Sequence, residues 1–219
     1  MSDQQTADVN RRSERARQAI HAATRELVGE QGFAKVTVEG IAARAGVGKQ
    51  TIYRWWPSKC AVVLDVLIAD NVHGHDSLAL PDTGDLAADV RPLLIGTVAY
   101  FTDPTNDKLL RAITAEIQYD TQLAATVLDE LLRPQFDALV ARIASAGLTT
   151  PSGSPADPQI VAEQLVGPIL HRWLLRRAPL DEDYINNLVD HVIATSNKKR
   201  PSRVRRPSAR TPRGTGSKA

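Results

Sequence analysis

Apolar residues recur along the first part of the chain with the spacing of an amphipathic helix. Between Ser13 and Gln31 they follow one another at steps of four, three and four, which places them on one helix face. The apolar positions of this segment are Ala16, Ile20, Ala23 and Leu27. Gly32 follows, and glycine commonly ends a helix, so the pattern predicts a helix over 13–31.

Two short helical patterns come next. Thr37 is a plausible N-cap for a helix over 38–45, which Gly46 would end, and residues 49–55 form a second helix after a tight turn. Two helices of about two turns joined in this way indicate a helix-turn-helix unit. Gly40 inside the first helix costs about 1 kcal/mol relative to alanine, which a close helix crossing would explain. The expected core positions of the unit are Ile41, Ile52 and Trp56.

The rest of the chain shows further helical patterns separated by segments rich in Gly and Pro. We predict helices over 58–72, 85–102, 106–118, 122–146, 157–177 and 182–195. Pro134 and Pro168 fall inside two of them and should kink or bend them. Segments 73–84 and 149–158 are predicted loops. No alternating apolar–polar run of useful length indicates a strand. The predicted fold class is therefore all-α, with a three-helix helix-turn-helix domain followed by a helical C-terminal domain.

Composition narrows the class of protein. The 219 residues suffice for one compact domain or two small ones. A single cysteine, Cys60, excludes an intramolecular disulfide and gives no basis for a Cys-rich zinc or iron–sulfur site. The longest apolar runs fall far short of the ~20 residues that cross a bilayer, and the N-terminus lacks the apolar region of a secretory signal. We therefore expect a cytoplasmic protein with no membrane partner.

The net charge of +2 conceals a segregated pattern. Residues 1–60 carry 10 Lys and Arg against 6 Asp and Glu, residues 61–197 carry 8 against 19, and residues 198–219 carry 9 against none. Basic ends around an acidic middle favour a polyanion as partner of the ends, with a solvated charged surface as the alternative. The predicted division is a disordered N-terminus over 1–10, a helix-turn-helix domain over 11–60, a helical domain over 61–197 and a basic disordered tail over 198–219.

The stretch from Thr37 to Lys59, TVEGIAARAGVGKQTIYRWWPSK, closely resembles the signature of the TetR/AcrR family of one-component transcriptional regulators. The matching features are the opening threonine, the Ile-Ala pair, the Ala-Gly-Val turn, Thr-Ile-Tyr on the second helix, and the aromatic, Pro-Ser and Lys that follow. Two positions depart from the pattern. Gly48 replaces the usual Ser or Thr cap, a loss of a few tenths of a kcal/mol, and Trp56 replaces a phenylalanine.

The second helix of such a unit lies in the major groove, with its N-terminal residues closest to the base edges. Lys49 could donate to guanine, Gln50 could bind adenine in bidentate fashion, and Thr51 could touch a thymine methyl or a phosphate. The alternative is an ordinary solvated turn of helix.

Four further residues are candidates for backbone contacts. Tyr53 and Lys59 suit phosphates, as the resemblance also implies. Thr37 and the amides beside it offer a second phosphate clamp. Trp55 could lie along the sugar–phosphate backbone or serve only in packing.

The resemblance implies that the C-terminal domain binds a small molecule and forms a homodimer on a palindromic operator. The candidate pocket residues are Tyr100, Phe101, Tyr119, Phe136 and Trp173, each of which could be plain core. The candidate dimer contacts, on two helices that would form a four-helix bundle, are Val161, Leu165, Ile169, Leu188 and Val192. The predicted function is a sequence-specific, ligand-released repressor.

Other functions have weaker support. An activator or a nucleoid-like DNA binder without an effector could use the same surface. No nucleophile, acid–base pair or cofactor motif indicates an enzyme, and no cofactor is expected. His73 and His75 next to Asp76 are too few ligands to nominate a metal site. Cys60, at the start of a helix, could have a lowered pKa but more simply packs as a small residue.

Overall fold

The computed structural model describes residues 2–73, 79–177 and 179–196, and over these residues the chain is helical. The helices are α1 (Ser2–Gln31), α2 (Val38–Ala45), α3 (Lys49–Trp55), α4 (Lys59–His73), α5 (Leu86–Thr102), α6 (Pro104–Glu116), α7 (Thr121–Thr126), α8 (Arg133–Ser145), α9 (Pro158–Leu174) and α10 (Glu182–Ser196). The described ranges contain no strand, only one isolated bridge between Thr149 and Pro155. The all-α prediction is confirmed. None of the helices described is long and apolar enough to cross a membrane.

The first helix is longer than the apolar pattern predicts. It begins at Ser2 instead of Ser13, so the expectation of disorder is wrong for residues 2–10. No proline interrupts this stretch, and its first glycine is Gly29, near the other end. A helix therefore extends without a breaker even where apolar residues are scarce. The predicted disordered tail over 198–219 lies outside the described residues, as do residues 74–78 of the predicted loop over 73–84.

The ends of α2 are set by the two residues that the sequence nominates. The Thr37 hydroxyl oxygen accepts a hydrogen bond from the Gly40 amide at 3.0 Å. Gly46 ends the helix in the left-handed conformation, with φ of 67°, where a side chain would be strained. A Cβ at Gly40 would lie 3.3 Å from that hydroxyl oxygen and 4.0 Å from Leu27 of α1. The nearest neighbour is therefore the cap of the same helix, while Leu27 lies at ordinary van der Waals distance, so a close helix crossing does not account for this glycine.

The chain builds two apolar cores. The first joins α1–α4 to α6, and its members include Ile20, Ile41, Ile52, Val63 and Leu109. Ile41, Ile52 and Trp56 are buried, which confirms their assignment as core. Because α6 packs against both α1 and α4, the second half of the chain reaches directly into the helix-turn-helix part.

The second core joins α5, α8, α9 and α10. It contains four of the five residues predicted as dimer contacts, namely Val161, Leu165, Ile169 and Val192, and Leu188 packs half-buried against it. That prediction is wrong for the four buried residues, because they fill the protomer's own interior. The helix α9 is apolar on more than one side, and periodicity alone could not tell which side faces inward.

The predicted helix over 122–146 is interrupted. Its first part, α7, passes into a π-helical turn over Val127–Leu132, and α8 begins at Arg133. Pro134 lies in the first turn of α8, where its missing N–H and fixed φ are tolerated. The sequence thus predicts an interruption close to its actual place, and in the structure the interruption takes the form of the π-helical turn before Pro134.

Polar contacts fix α1 to α4. The Arg17 Nε donates to the Asp65 carboxylate at 2.9 Å, and the His21 Nε2 lies 2.8 Å from the same group. Arg25 pairs with Asp70 further along both helices. Burial alone would raise the pKa of the Asp65 carboxyl, but the hydrogen bonds from His21 and Arg17 lower it from 3.8 to about 2. Ionised Asp65 therefore stabilises the contact between the two helices.

Another buried ion pair holds the second core. The Arg142 guanidinium donates to the Asp89 carboxylate at 2.6 and 2.8 Å, and both side chains are almost fully enclosed. The Thr83 hydroxyl and amide also donate to this carboxylate. The hydrogen bonds from Thr83, together with those from Arg142, outweigh burial and hold the pKa of Asp89 below its usual value. The pair joins α5 to α8 across the core.

We expect Asp65→Asn to lower the free energy of unfolding by about 2.5 kcal/mol at pH 7, because folding lowers the pKa of Asp65 by ~2 units and each unit corresponds to ~1.4 kcal/mol. A carboxyl whose pKa is lowered by folding stabilises the fold above pH 4, and this contribution is lost as the pH falls toward 2. The difference between variant and wild type should therefore shrink over that range in urea unfolding followed by circular dichroism. Asp129→Asn, which removes an exposed pair with Arg133, is the control. Equal stability of Asp65→Asn and wild type at pH 7 would contradict the role of Asp65.

Candidate DNA interface and effector cleft

The helix α3 presents its first turn to solvent and buries its middle. Lys49 and Gln50 are exposed and Thr51 is half-buried, whereas Ile52 is completely buried. Gly48 precedes the helix in an extended conformation without a side-chain cap. The amide of Trp56 donates to the Ile52 carbonyl at 2.9 Å and closes the helix. The three residues predicted to read bases thus lie in the accessible first turn of a helix whose position is fixed by the buried Ile52.

Aromatic side chains hold the far end of α3. The Trp55 ring packs edge-on against Trp56 at 5.2 Å, and Trp56 lies 6.1 Å from the His21 ring of α1. The Arg54 guanidinium covers the Trp55 ring at 5.2 Å. Trp55 therefore has a packing role, and its proposed contact with the sugar–phosphate backbone stays a prediction.

Two hydroxyl groups border this surface. Tyr53 is 48% exposed on α3. Thr37 is exposed at the start of α2, and its oxygen already accepts from Gly40. A hydroxyl that accepts a hydrogen bond still has its own proton to donate, so Thr37 can cap α2 and bind a phosphate oxygen at the same time.

Lys59 is directed inward and not toward the exposed face of α3. Its amine donates to the carbonyls of Phe33 and Val36, each at 3.2 Å, and lies 4.2 Å from the centre of the Phe33 ring. Phe33–Lys35 is a single 3₁₀ turn between α1 and α2. Lys59 thus fixes the start of α4 to this turn. The predicted phosphate contact would have to use the remaining N–H of the amine.

Nearby cations differ in how far they are neutralised. Arg44 donates to Glu26 and Glu30 of α1, and its hydrogen bonds to Glu30 and then to Glu26 raise its pKa. This pairing fixes α2 to α1. Within the part of the chain that the structure describes, Lys49 has only a distant partner, Glu39, at 4.0 Å between two exposed side chains. Its charge is therefore available to a DNA partner.

The structure brings together two of the five candidate pocket residues. Phe101 and Trp173 lie 5.2 Å apart and line a cleft of about 330 Å³. Tyr100 packs beside Phe101 at 6.5 Å but points into the first core. Phe136 packs against the second core and is not at the cleft. Tyr119 is 92% exposed just beyond α6, so its assignment to a pocket is wrong.

The hydroxyl of Tyr100 is buried, and no residue in the described ranges hydrogen-bonds to it. Burial raises the pKa of this phenol, and the nearby Asp70 raises it further. The hydroxyl is therefore protonated at neutral pH and keeps a buried donor proton.

Sequence reasoning missed the charged lining of the cleft. Four arginines and one carboxylate line it, namely Arg111, Arg172, Arg176, Arg177 and Asp107. The Trp173 indole N–H donates to Asp107 at 2.7 Å, and the Arg111 guanidinium lies over the Trp173 ring at 4.5 Å. The sequence RWLLRR over 172–177 was a visible signal, because it interrupts an acidic half of the chain.

The remaining alternatives gain nothing from the geometry. Within the described residues, no three His, Cys, Asp or Glu side chains come together as metal ligands. His73 is the last residue of α4, and His75 and Asp76 lie outside the described residues. Burial raises the pKa of the Cys60 thiol, which opposes thiolate formation.

Because Lys59 holds two backbone carbonyls, Lys59→Ala should lower the melting temperature by about 2–4 °C, the shift that ~1 kcal/mol produces in a chain of this size. Lys49→Ala, at an exposed position, should leave it unchanged. Differential scanning calorimetry of both variants measures the effect. A Lys59→Ala protein as stable as Lys49→Ala would show that the inward contacts contribute nothing.

Comparison with known proteins follows the same division of the chain. The family model "Bacterial regulatory proteins, tetR family" matches residues 20–66, and "Tetracyclin repressor-like, C-terminal domain" matches residues 80–192. The HTH-type transcriptional regulator YdeS of Bacillus subtilis is 29% identical over 184 residues, covering 81% of this chain and 88% of YdeS. The DNA-binding transcriptional repressor TetR of Mycobacteroides abscessus is 29% identical over 189 residues, covering 83% and 94%.

Solved structures agree with these matches. The TetR family transcription regulator SCO0332 is 30% identical, with a TM-score of 0.63, and the alignment covers 82% of this chain and 97% of SCO0332. The two family models together cover the helix-turn-helix unit and nearly all of the helical second half. The chain is therefore a member of the TetR family of helix-turn-helix transcriptional regulators and not an enzyme.

Proposed function

We propose that this protein is a homodimeric repressor that binds a palindromic operator and is released from it by a small molecule. The observation that carries the proposal is the exposed first turn of α3 above a fully buried Ile52. The division follows the sequence, with residues 11–60 contacting DNA and residues 61–197 sensing and dimerising. The protein would act in the cytoplasm.

Base readout is assigned to the first turn of α3. Lys49 and Gln50 carry long polar side chains at exposed positions, which suits guanine and adenine edges in the major groove. Thr51, half-buried, reaches a methyl group or a phosphate. Tyr53 and Thr37 flank this turn and suit the phosphates on either side.

Dimerisation is assigned to the outer side of α9. The exposed apolar residues there are Ile160, Leu170 and Leu174, with Leu175 just beyond the helix. Gly167 lies in the same stripe, at steps of seven, three and four, and has open space where its Cβ would be. A second copy of this chain would cover the stripe, since members of this family form dimers and a small residue permits close helix approach.

Transmission is assigned to α6, which lies between the cleft and the helix-turn-helix part. On one side the Arg111 guanidinium donates to the Trp173 carbonyl at 2.7 Å. On the other side Lys108 donates to the Gly29 carbonyl of α1. A ligand that prefers one position of α6 would shift the dimer toward it, and the coupling energies of such systems are typically ~1–3 kcal/mol.

The operator can be found by sequencing DNA fragments that the purified protein retains. We expect a palindrome whose half-sites are one helical turn apart, because a twofold dimer places two recognition helices ~34–36 Å apart.

Lys49→Ala and Gln50→Ala should each weaken operator binding by about 5- to 150-fold in gel shifts, which corresponds to ~1–3 kcal/mol. Tyr53→Phe should weaken binding to all sequences equally. Arg133→Ala, far along the chain on α8, is the matched control.

Broad protection without sequence preference would contradict the repressor and favour a nucleoid-like binder. Unchanged operator affinity in Lys49→Ala and Gln50→Ala would contradict the assignment of readout to α3.

The wild-type protein should sediment at about twice its 23.8 kDa protomer mass. The double variant Leu170→Asp with Leu174→Asp should sediment as a monomer, because it places two charges in the proposed contact. Leu128→Asp, equally exposed on the π-helical turn, is the control and should remain dimeric. A monomeric wild type, or a dimeric double variant, would contradict the assignment of this stripe.

A further inference from the structure

The cleft between the start of α6 and the end of α9 has an unusual charge. The segment 61–197 carries 19 acidic residues against 8 basic ones, yet the cleft is lined by four arginines and a single carboxylate, Asp107. Half of the basic residues of an acidic segment therefore face one small cavity. This concentration makes the cleft a local positive site.

Three of its four arginines also differ from the others, because within the described residues no carboxylate pairs with them. Among the described residues from 79 onward, Arg91, Arg133 and Arg142 pair with acids outside the cleft, and Arg111 pairs with Asp107. Arg172, Arg176 and Arg177 have no such pair. The Arg172 guanidinium is held by the Pro179 carbonyl and lies 3.6 Å from the Tyr184 ring.

Arg176 and Arg177 are exposed, and no side-chain contact holds either of them within the described chain. Their backbone is nevertheless fixed. The Arg176 amide donates to the Trp173 carbonyl at 3.2 Å, and the Arg177 amide donates to the Arg172 carbonyl at 2.8 Å. Within the described residues, two guanidinium groups thus extend from a hydrogen-bonded helix end without a carboxylate partner.

Arg176 occupies a backbone conformation that glycine normally takes. Its φ is 51°, the left-handed region, and it is the one non-glycine residue in the described chain with positive φ. Glycine at this position after a helix would avoid a strain of about 1–2 kcal/mol. An arginine in this strained conformation beside a cavity favours a role for its side chain there.

The other walls of the cleft are apolar and aromatic. Phe101 and Trp173 form one side, with Pro104 and Leu180 beside them. The volume of about 330 Å³ is at the small end of the range for ligand sites. A fitting ligand needs a small flat or apolar body against these rings and one anionic group for the two guanidiniums.

We propose that this cleft binds a small organic carboxylate, with its apolar body against Phe101 and Trp173 and its carboxylate on Arg176 and Arg177. The inference deepens the proposed function, since it assigns the chemical class of the effector, and it rests on that function only for its effect on DNA. Binding would add a contact between the end of α9 and the α6 side of the cleft, where Arg111 already joins both helices.

The test is isothermal titration calorimetry of the full-length protein, without DNA, with benzoate, decanoate and naphthalene-2-carboxylate. We expect at least one carboxylate to bind, and its neutral amide to bind at least about tenfold more weakly. The double variant Arg176→Gly with Arg177→Ala should bind that carboxylate at least about tenfold more weakly than wild type. The glycine relieves the positive φ, so this variant should melt no lower than wild type. Arg133→Ala is the matched control for removal of an exposed arginine.

The proposal is overturned if none of the three carboxylates binds at millimolar concentration, if acid and amide bind equally, or if the double variant binds as wild type does. Operator affinity of the double variant, measured by gel shift without ligand, should equal that of wild type. Its loss would instead place the cleft on the DNA surface. A wild-type protein that binds carboxylate but no specific DNA would refute the repressor and leave the site intact.

Discussion

Burial of Ile52 and Trp56 is the constraint on which the position of the exposed first turn of α3 depends. A helix of seven residues is too short to be stable in water, and α3 also lacks a side-chain cap. Its helical state comes from tertiary packing, with Ile52 fully enclosed and Trp56 wedged between Trp55 and His21. The same burial fixes the direction in which Lys49 and Gln50 leave the surface. A shift of the packing around Ile52 and Trp56 therefore also shifts the exposed first turn of α3.

The core that buries Ile52 and Trp56 is not confined to the helix-turn-helix part. The first core takes Leu109, Leu110 and Ile113 from α6, and even Trp173 from the end of α9. Ion pairs from Asp65 and Asp70 tie α1 to α4 in the same region. Because protein interiors are close-packed, a displacement of α6 cannot be absorbed locally and must be passed to α1 or α4. This shared core is a physical connection between the cleft and the helix-turn-helix part.

Local chemistry explains what the sequence predicts well. The helices, the Thr37 cap, the Gly46 stop and the interruption near Pro134 all follow from interactions within a few residues. What it misses depends on tertiary packing. An inward stripe and an outward stripe on α9 look alike in sequence, so Val161, Leu165 and Ile169 were assigned to the wrong surface. Tyr119 has the composition of a pocket residue but lies in solvent. Lys59 matches a motif that implies phosphate contact, yet its amine meets two carbonyls across a turn that periodicity cannot place.

The arginines of the helical second half fall into two groups, those with an internal carboxylate partner and those without one. Four of the seven arginines of the helical second half pair with a carboxylate close in space, and two of them, Arg91 and Arg142, thereby join two helices. An arginine that holds two helices together needs a carboxylate partner inside the protein. An arginine that binds an anionic ligand needs a charge that no internal carboxylate neutralises. Among the residues that the structure describes in that half, the arginines without an internal carboxylate gather at the end of α9, next to the aromatic pair that also touches α6. An anion bound there would become the missing partner, and it would act on the helix that already contacts the reading unit. The distribution of internal ion pairs thus separates the charges that hold the fold from those available to a ligand.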